Sequence, residues 1–141
     1  MAAADGPATL PEALRAIVGE AAAADGDRDL ADRETGARRD TGRAAGLLRP
    51  AGTDELAAAV AWCVRHGVAF VPQSANTGLV GGSVPDPSGE QVVLGLDRLN
   101  RRIDVDAANR TVRVGAGIRL SELNARLEAD GLWFPIDLGA D

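Results

Sequence analysis

Leu10, Leu14, Ile17 and Val18 recur at the spacing of one helical face behind Pro11 and Glu12, which predicts an amphipathic helix over residues 10–22. Residues 1–8 ahead of it are small and polar and are expected to fray. Between Asp25 and Arg43 the apolar pattern gives out. Charges of both signs alternate there with Gly26, Gly36 and Gly42, and the expectation is an exposed strap or partly disordered link. Its interleaved signs read as solvated surface. A nucleic-acid patch is the sharper alternative, but Asp and Glu stand between the arginines and argue against it.

Order resumes at Ala44–Arg49, a short apolar run that reads as a strand stopped by Pro50. Thr53 is a natural N-cap, with Asp54 and Glu55 in the first turn where the helix dipole favours anions. Leu56, Val60, Cys63 and Val64 then form an apolar face, and Gly67 suits a left-handed C-cap. Val68–Val71 reads as a compact buried strand ended by Pro72. Strand, helix and strand with short connections predict a βαβ unit with parallel strands and a right-handed crossover. A glycine-rich loop from Gln73 to Gly89 leads to a strand at Gln91–Leu94. Arg101–Asp106 and Thr111–Gly115 flank a four-residue turn, and Ile103/Val105 against Val112/Val114 is the alternation of a half-buried antiparallel hairpin. A helix over Arg119–Asp130 carries Leu120, Leu123 and Leu127 on one face, Gly131 closes it, and Leu132–Ile136 is the last expected strand. The fold class that follows is α+β, an α/β-like βαβ unit joined to a hairpin and a helix.

Composition narrows the chemistry. The 141 residues make room for one domain, and 15 basic against 21 acidic residues give a formal charge of −6. An acidic chain is poorly suited to nucleic acid. All 15 basic residues are arginines. The absence of lysine removes a Walker A lysine, a Schiff-base lysine and a kinase-type phosphate lysine together. One cysteine, Cys63, and one histidine, His66, make neither an internal disulfide nor a zinc site of the usual kind, so no metal is expected. His66 reads as a residue of the last helical turn and Cys63 as a small core residue. No stretch is long and apolar enough to span a membrane, and the first residues lack the pattern of a signal peptide, so a cytoplasmic protein is expected.

Two segments have the make-up of a phosphate cradle. Pro72-Gln-Ser-Ala-Asn-Thr-Gly-Leu-Val-Gly-Gly-Ser-Val-Pro85 follows a parallel strand directly, where open α/β sheets place ligands. Gly78, Gly81 and Gly82 permit backbone angles closed to other residues, and successive inward N–H groups form an anion nest. Ser74, Asn76, Thr77 and Ser83 add side-chain donors. Without lysine, main-chain amides are the way to hold a diphosphate here. The bland alternative is an ordinary glycine-rich surface loop. The second segment, Val114-Gly115-Ala116-Gly117-Ile-Arg-Leu120, is nearly G-x-G-x-x-G, with Asp137 placed 22 residues after Gly115 as a ribose acid. Leu120 occupies the position of the third glycine, so NAD binding is the weaker reading and a tight strand-to-helix turn accounts for both glycines.

The stretch from Val71 to Pro85 resembles the pyrophosphate loop of FAD-linked oxidases with a PCMH-type (vanillyl-alcohol-oxidase-like) flavin domain. The nearer similarity is to the branch of D-lactate, D-2-hydroxyglutarate and glycolate dehydrogenases. Arg49-Pro50-Ala-Gly-Thr53-Asp-Glu55, Val114-Gly-Ala-Gly117 and Trp133-Phe-Pro135-Ile-Asp137-Leu-Gly139-Ala140 agree with it in order. The residue pattern gives a helix and charged strap over residues 1–43, and the resemblance implies the N-terminal subdomain of a PCMH-type FAD-binding domain over residues 44–141. It implies FAD as cofactor, with Pro72, Gln73, Ser74, Ala75, Asn76, Thr77, Gly78, Gly81, Gly82 and Ser83 at the pyrophosphate and Pro135, Asp137 and Gly139 near the flavin end. The implied chemistry is hydride transfer from the α-carbon of a D-2-hydroxy acid to flavin N5.

Two departures from the family pattern stand out. Ser74-Ala75 replaces the usual Gly-Gly, and the aromatic residues common before the first strand are missing between Arg28 and Arg43. The chain also stops at Asp141, before the family's second flavin-binding stretch and its substrate domain, so no catalytic residue is assigned. The expectation is the FAD-binding portion of a flavin-dependent oxidoreductase, incomplete on its own, with a separately encoded complementary part as a candidate partner. The alternative is a non-catalytic fragment or small interaction module without flavin.

Overall fold

The computed structural model describes residues 10–25 and 27–136. Four strands form the main sheet: β1 (Ala23–Ala24), β2 (Ala44–Leu48), β3 (Phe70–Gln73) and β4 (Gln91–Gly95), in the spatial order β1-β2-β4-β3. β4 pairs parallel with both β2 and β3, and β1 runs antiparallel along the outer side of β2. Helix α1 (Glu12–Val18) and helix α3 (Thr53–His66) cover one face, where Leu14, Leu48, Cys63 and Leu94 are buried together. Helix α2 (Asp27–Glu34) covers the other, with Leu30 packed on Leu47 and Val93. With helices on both faces, β4 reads as an uninterrupted buried run from Val92 to Gly95, the pattern of parallel strands. Full burial of each leucine in such a layer contributes about 1.5–3 kcal/mol. Beyond the sheet lie a separate hairpin of β5 (Ile103–Asp106) and β6 (Thr111–Val114), then helix α4 (Leu120–Glu128).

The expected βαβ unit is present with one difference: β2 and β3 are parallel members of one sheet, but β4 lies between them. The hairpin has the expected register, with Ile103 opposite Val114 and Val105 opposite Val112. Gly67 closes α3 in the left-handed region at φ 66°. The N-cap of α3 is Gly52, not Thr53, which is the first helical residue; Glu55 turns back to accept from the Ala51 amide at 2.7 Å. On α3 the buried residues are Ala59 and Cys63, while Val64 is 68% exposed.

Three expectations are corrected. The helix over 10–22 ends at Val18, because Gly19 turns at φ 80° and a single 3-10 turn, Glu20–Ala22, follows. The stretch from Asp25 to Arg43 is not an open strap. It holds α2, buries Leu30 and closes with a bridge between Thr35 and Thr41. One buried leucine on an otherwise charged helix is too faint a period to read in sequence. The strand expected at Leu132–Ile136 is absent: Leu132 donates to Leu127, Ile136 turns back on Phe134, and Trp133 stands 65% exposed. The apolar run has no strand to pair with among the described residues. A smaller shift is that β3 starts at Phe70 and continues through Pro72, opposite Leu94. As the edge strand of the sheet, β3 tolerates a residue with no N–H to donate.

Candidate functional site

The three parallel strands β2, β3 and β4 release the chain on the same edge of the sheet, and polar residues follow each of them. Arg49 comes directly after β2, Gln73 is the last residue of β3, and Asp97 lies two residues past β4. Arg49 donates through Nε to Asp97 at 3.0 Å and pairs with the same carboxylate through Nη2. Arg33, from α2, reaches the other carboxylate oxygen at 3.3 Å. Burial pushes the Asp97 carboxyl up, but the Arg49 hydrogen bond and the two guanidinium charges outweigh it and hold the group below the ordinary carboxylate range. The same bond to Asp97 raises the Arg49 guanidinium.

The glycine-rich loop is tied down at its base. Gln73 is 1% exposed, and its amide nitrogen donates to the carbonyls of Arg33 and Ser83, both at 2.8 Å. Its amide oxygen accepts from Arg33 at 3.3 Å. Asn76 donates to the Thr35 carbonyl at 2.9 Å and accepts from the Ser83 hydroxyl at 2.8 Å. Ser74 donates to the Ala116 carbonyl at 3.1 Å, which joins the loop to the second glycine segment. The side chains expected as ligand donors, Ser74, Asn76 and Ser83, are therefore committed to shaping the loop. A loop with little backbone pairing of its own depends on such ties.

The main chain has the opposite disposition. From Ser74 to Ser83 no backbone amide donates to a described residue; the loop's turn is made by Val84 donating to Gly81 at 3.0 Å. Asn76, at φ 55°, and Gly81, at φ 74°, bend the loop through the left-handed region at two separate points. Ser74 and Ala75 lie outside it, so their side chains bring no backbone strain. Gly78 and Gly82 also lie outside that region. A Cβ at Gly82 would have nothing within 4 Å, and one at Gly78 only the Ser83 hydroxyl at 3.6 Å. Nothing among the described residues requires glycine at either position.

The second glycine segment is built the other way. A Cβ at Gly115 would run into the Leu99 carbonyl, and one at Gly117 into the Leu96 carbonyl. Their amides are committed as well, Gly115 to Arg102 at 2.9 Å and Gly117 to Leu99 at 3.1 Å. These glycines serve close packing, which leaves no amide pair for a dinucleotide at Gly115-x-Gly117.

Ser74, Ala75 and Asn76 line a cleft of about 270 Å3 with Arg33, Asp97 and Arg119. Thr77, Gly78 and Gly82 are exposed and do not line it, and Pro72 is exposed on the edge strand. Pro135 lines a different hollow, against the hairpin and the end of α4. Asp137 and Gly139 lie outside the described residues. Sequence reading passed over Arg33, Asp97 and Arg119. Arg33 lies in a stretch whose alternating charges resemble solvated surface, and Asp97 has no sequence signal beyond its place after a buried strand.

A mixed α/β layer carries the glycine loop at the carboxyl edge of its parallel strands, where open sheets place ligands, and comparison with known proteins defines the family. Residues 44–141 match the FAD binding domain family, and the chain belongs to that family, whose cofactor is FAD. The chain is 36% identical over 103 residues to D-2-hydroxyglutarate dehydrogenase of Xanthomonas citri pv. viticola, covering 73% of this chain and 21% of that protein. Over 93 residues it is 34% identical to D-lactate dehydrogenase of Anaerostipes hadrus, covering 66% of this chain and 19% of that protein. Among solved structures, alkyldihydroxyacetonephosphate synthase superposes with a TM-score of 0.78 at 22% identity, over 92% of this chain and 26% of that one. The chain thus spans about a fifth of the length of the two dehydrogenases. No helix among the described residues is long and apolar enough to cross a membrane.

The residues present fit the group the family carries. The loop offers uncommitted amides and two glycines whose missing side chains leave open space, which is the arrangement a bound diphosphate requires of the main chain.

Proposed function

We propose that the chain is the FAD-binding portion of a flavin-dependent oxidoreductase acting on a D-2-hydroxy acid. One observation carries the cofactor half: the run of amides between Ser74 and Ser83 that donate to none of the described residues, on a loop whose Asn76 and Ser83 side chains are turned to its own support. In this reading the amides from Ser74 to Gly82 hold the pyrophosphate, Gly78 and Gly82 allow its close approach, and the Thr77 hydroxyl supplies a further donor. Pro72, Gln73 and Ser83 set the ends of the loop. Pro135, Asp137 and Gly139 line the flavin end. Held by these amides, FAD would supply a two-electron acceptor for the hydride of the substrate's α-carbon, and with loss of the hydroxyl proton a 2-oxo acid would result. The two dehydrogenases support the substrate class by their names. The groups that handle the substrate belong to a complementary part, in a longer chain or a separate polypeptide. A cytoplasmic setting completes the reading and accords with a lone cysteine that is free and buried.

The test is a titration of the 141-residue chain with FAD, followed by the fluorescence of Trp62 and Trp133 and by the flavin's visible absorbance. Saturable uptake, competed by ADP and abolished in Gly78→Val, is the expected result. A colourless protein that takes up no FAD would overturn it. With the complementary part present, anaerobic bleaching by D-2-hydroxyglutarate or D-lactate, and not by the L isomers, tests the substrate class.

A further inference from the structure

The loop from Ser74 to Gly82 has almost no backbone hydrogen bonding of its own, so its bent form must be imposed from outside. Beside the Ser74–Ala116 tie, the imposing element is α2 and the residue that follows it. Arg33 stands at the crossing of four contacts: its carbonyl accepts from the Gln73 amide, and its guanidinium donates to Gln73 at 3.3 Å, to the Ser74 carbonyl at 3.5 Å and to Asp97 at 3.3 Å. Two residues on, the Thr35 carbonyl takes the Asn76 side chain. The support is packed onto the sheet, where Leu30 of α2 is buried with Leu47 and Val93. It lies wholly outside residues 44–141, the part matched by the family.

We propose that Arg33 is a positioning residue of the cofactor loop, its guanidinium bridging Asp97 to Gln73 and Ser74 so that the amides downstream keep the curl a diphosphate requires. The inference rests on the FAD reading above for its consequence, and on the contacts alone for the clamp itself. Arginine is suited to the task because its planar fork serves three acceptors in fixed directions. A lysine ammonium is a point charge that cannot reach all three at once.

Arg33→Met keeps the length and removes the fork, and Arg33→Lys keeps the charge. Limited chymotrypsin digestion reads the loop directly through cleavage after Leu79, which is 53% exposed. Both variants are expected to be cut about fivefold faster than wild type, as local opening becomes easier, while the global melting temperature stays close to wild type. Their FAD affinity is expected to fall about tenfold, with less change for riboflavin, which carries no diphosphate. A merely structural role would lower the melting temperature and leave the ratio of FAD to riboflavin affinity alone. Arg33→Lys keeps the test decisive if Arg33→Met fails to fold. Unchanged cleavage and unchanged FAD affinity in a folded variant overturn the proposal. A wild-type chain that takes up no FAD overturns the functional reading and Arg33's part in it, and the digestion alone then decides whether Arg33 clamps the loop.

Discussion

The Ser74 hydroxyl donates to the carbonyl of Ala116 across 42 positions of sequence, at 3.1 Å. This bond brings together two glycine-rich segments that do different work. One keeps its amides unbonded and its glycines open; the other has its amides bonded and its glycines pressed against neighbouring backbone. Ser74→Ala removes the tie from a partly exposed position. The expected loss of stability is about 0.5–1.5 kcal/mol, measured by urea unfolding.

The contrast between the segments predicts opposite outcomes for the same kind of substitution. Gly78→Val leaves the chain folded, because the position is outside the left-handed region and its nearest neighbour is at ordinary contact distance, yet it abolishes FAD uptake. Gly115→Ala drives a methyl into the Leu99 carbonyl and destabilises the fold by about 1–3 kcal/mol or more. Thermal melting beside FAD titration separates the two.

Acid sensitivity follows from Asp97. Its carboxyl titrates lower in the folded chain than the ordinary value of about 3.9, so the unfolded chain binds the extra proton. The stabilisation is present above about pH 4 and is lost as pH falls through the folded value. Urea midpoints between pH 6 and pH 3 are expected to fall more steeply for wild type than for Asp97→Asn, which starts lower and has no such titration.

Cys63 predicts the converse at high pH. Burial pushes its thiol up, so the folded state favours the neutral form. That contribution is present below the ordinary value of about 8.5 and is lost as pH rises toward the folded value. A disulfide reagent is expected to react slowly with the native chain and to label one thiol at once in denaturant, since Cys63 is 0% exposed.

Leu14 tests how firmly the N-terminal helix belongs to the sheet. It is 0% exposed against the β2 and α3 residues, so Leu14→Ala is expected to cost about 2–5 kcal/mol in a single cooperative unfolding transition.

Much of this was legible in the residues, for reasons that differ by element. Ile103, Val105, Val112 and Val114 alternate without interruption, and the hairpin has the register they specify. Gly67 follows an apolar face and closes α3. The loop was visible because its glycines follow a buried strand and no lysine competes for the role. The placement of β4 between β2 and β3 was not legible, because strand order is a long-range choice that a local pattern does not encode. Leu132–Ile136 has the composition of a strand, but pairing needs a partner, and composition does not supply one. Arg33 escaped notice because charge in a weakly periodic stretch reads as solvent-facing until a partner such as Gln73 is seen beneath it.

The tethering of the loop by its side chains has a further consequence for how this segment tolerates change. Any recognition left to its peptide groups is indifferent to the letters of the sequence, so drift from glycine to serine or alanine at 74 and 75 is permitted wherever torsion angles allow it. What the segment does not tolerate is bulk on its open side or loss of an anchor at its root. Damaging variants are therefore expected to concentrate at Gln73, Asn76 and Ser83, and at the vacant faces of Gly78 and Gly82, with the exposed crest at Leu79 and Val80 left free to vary.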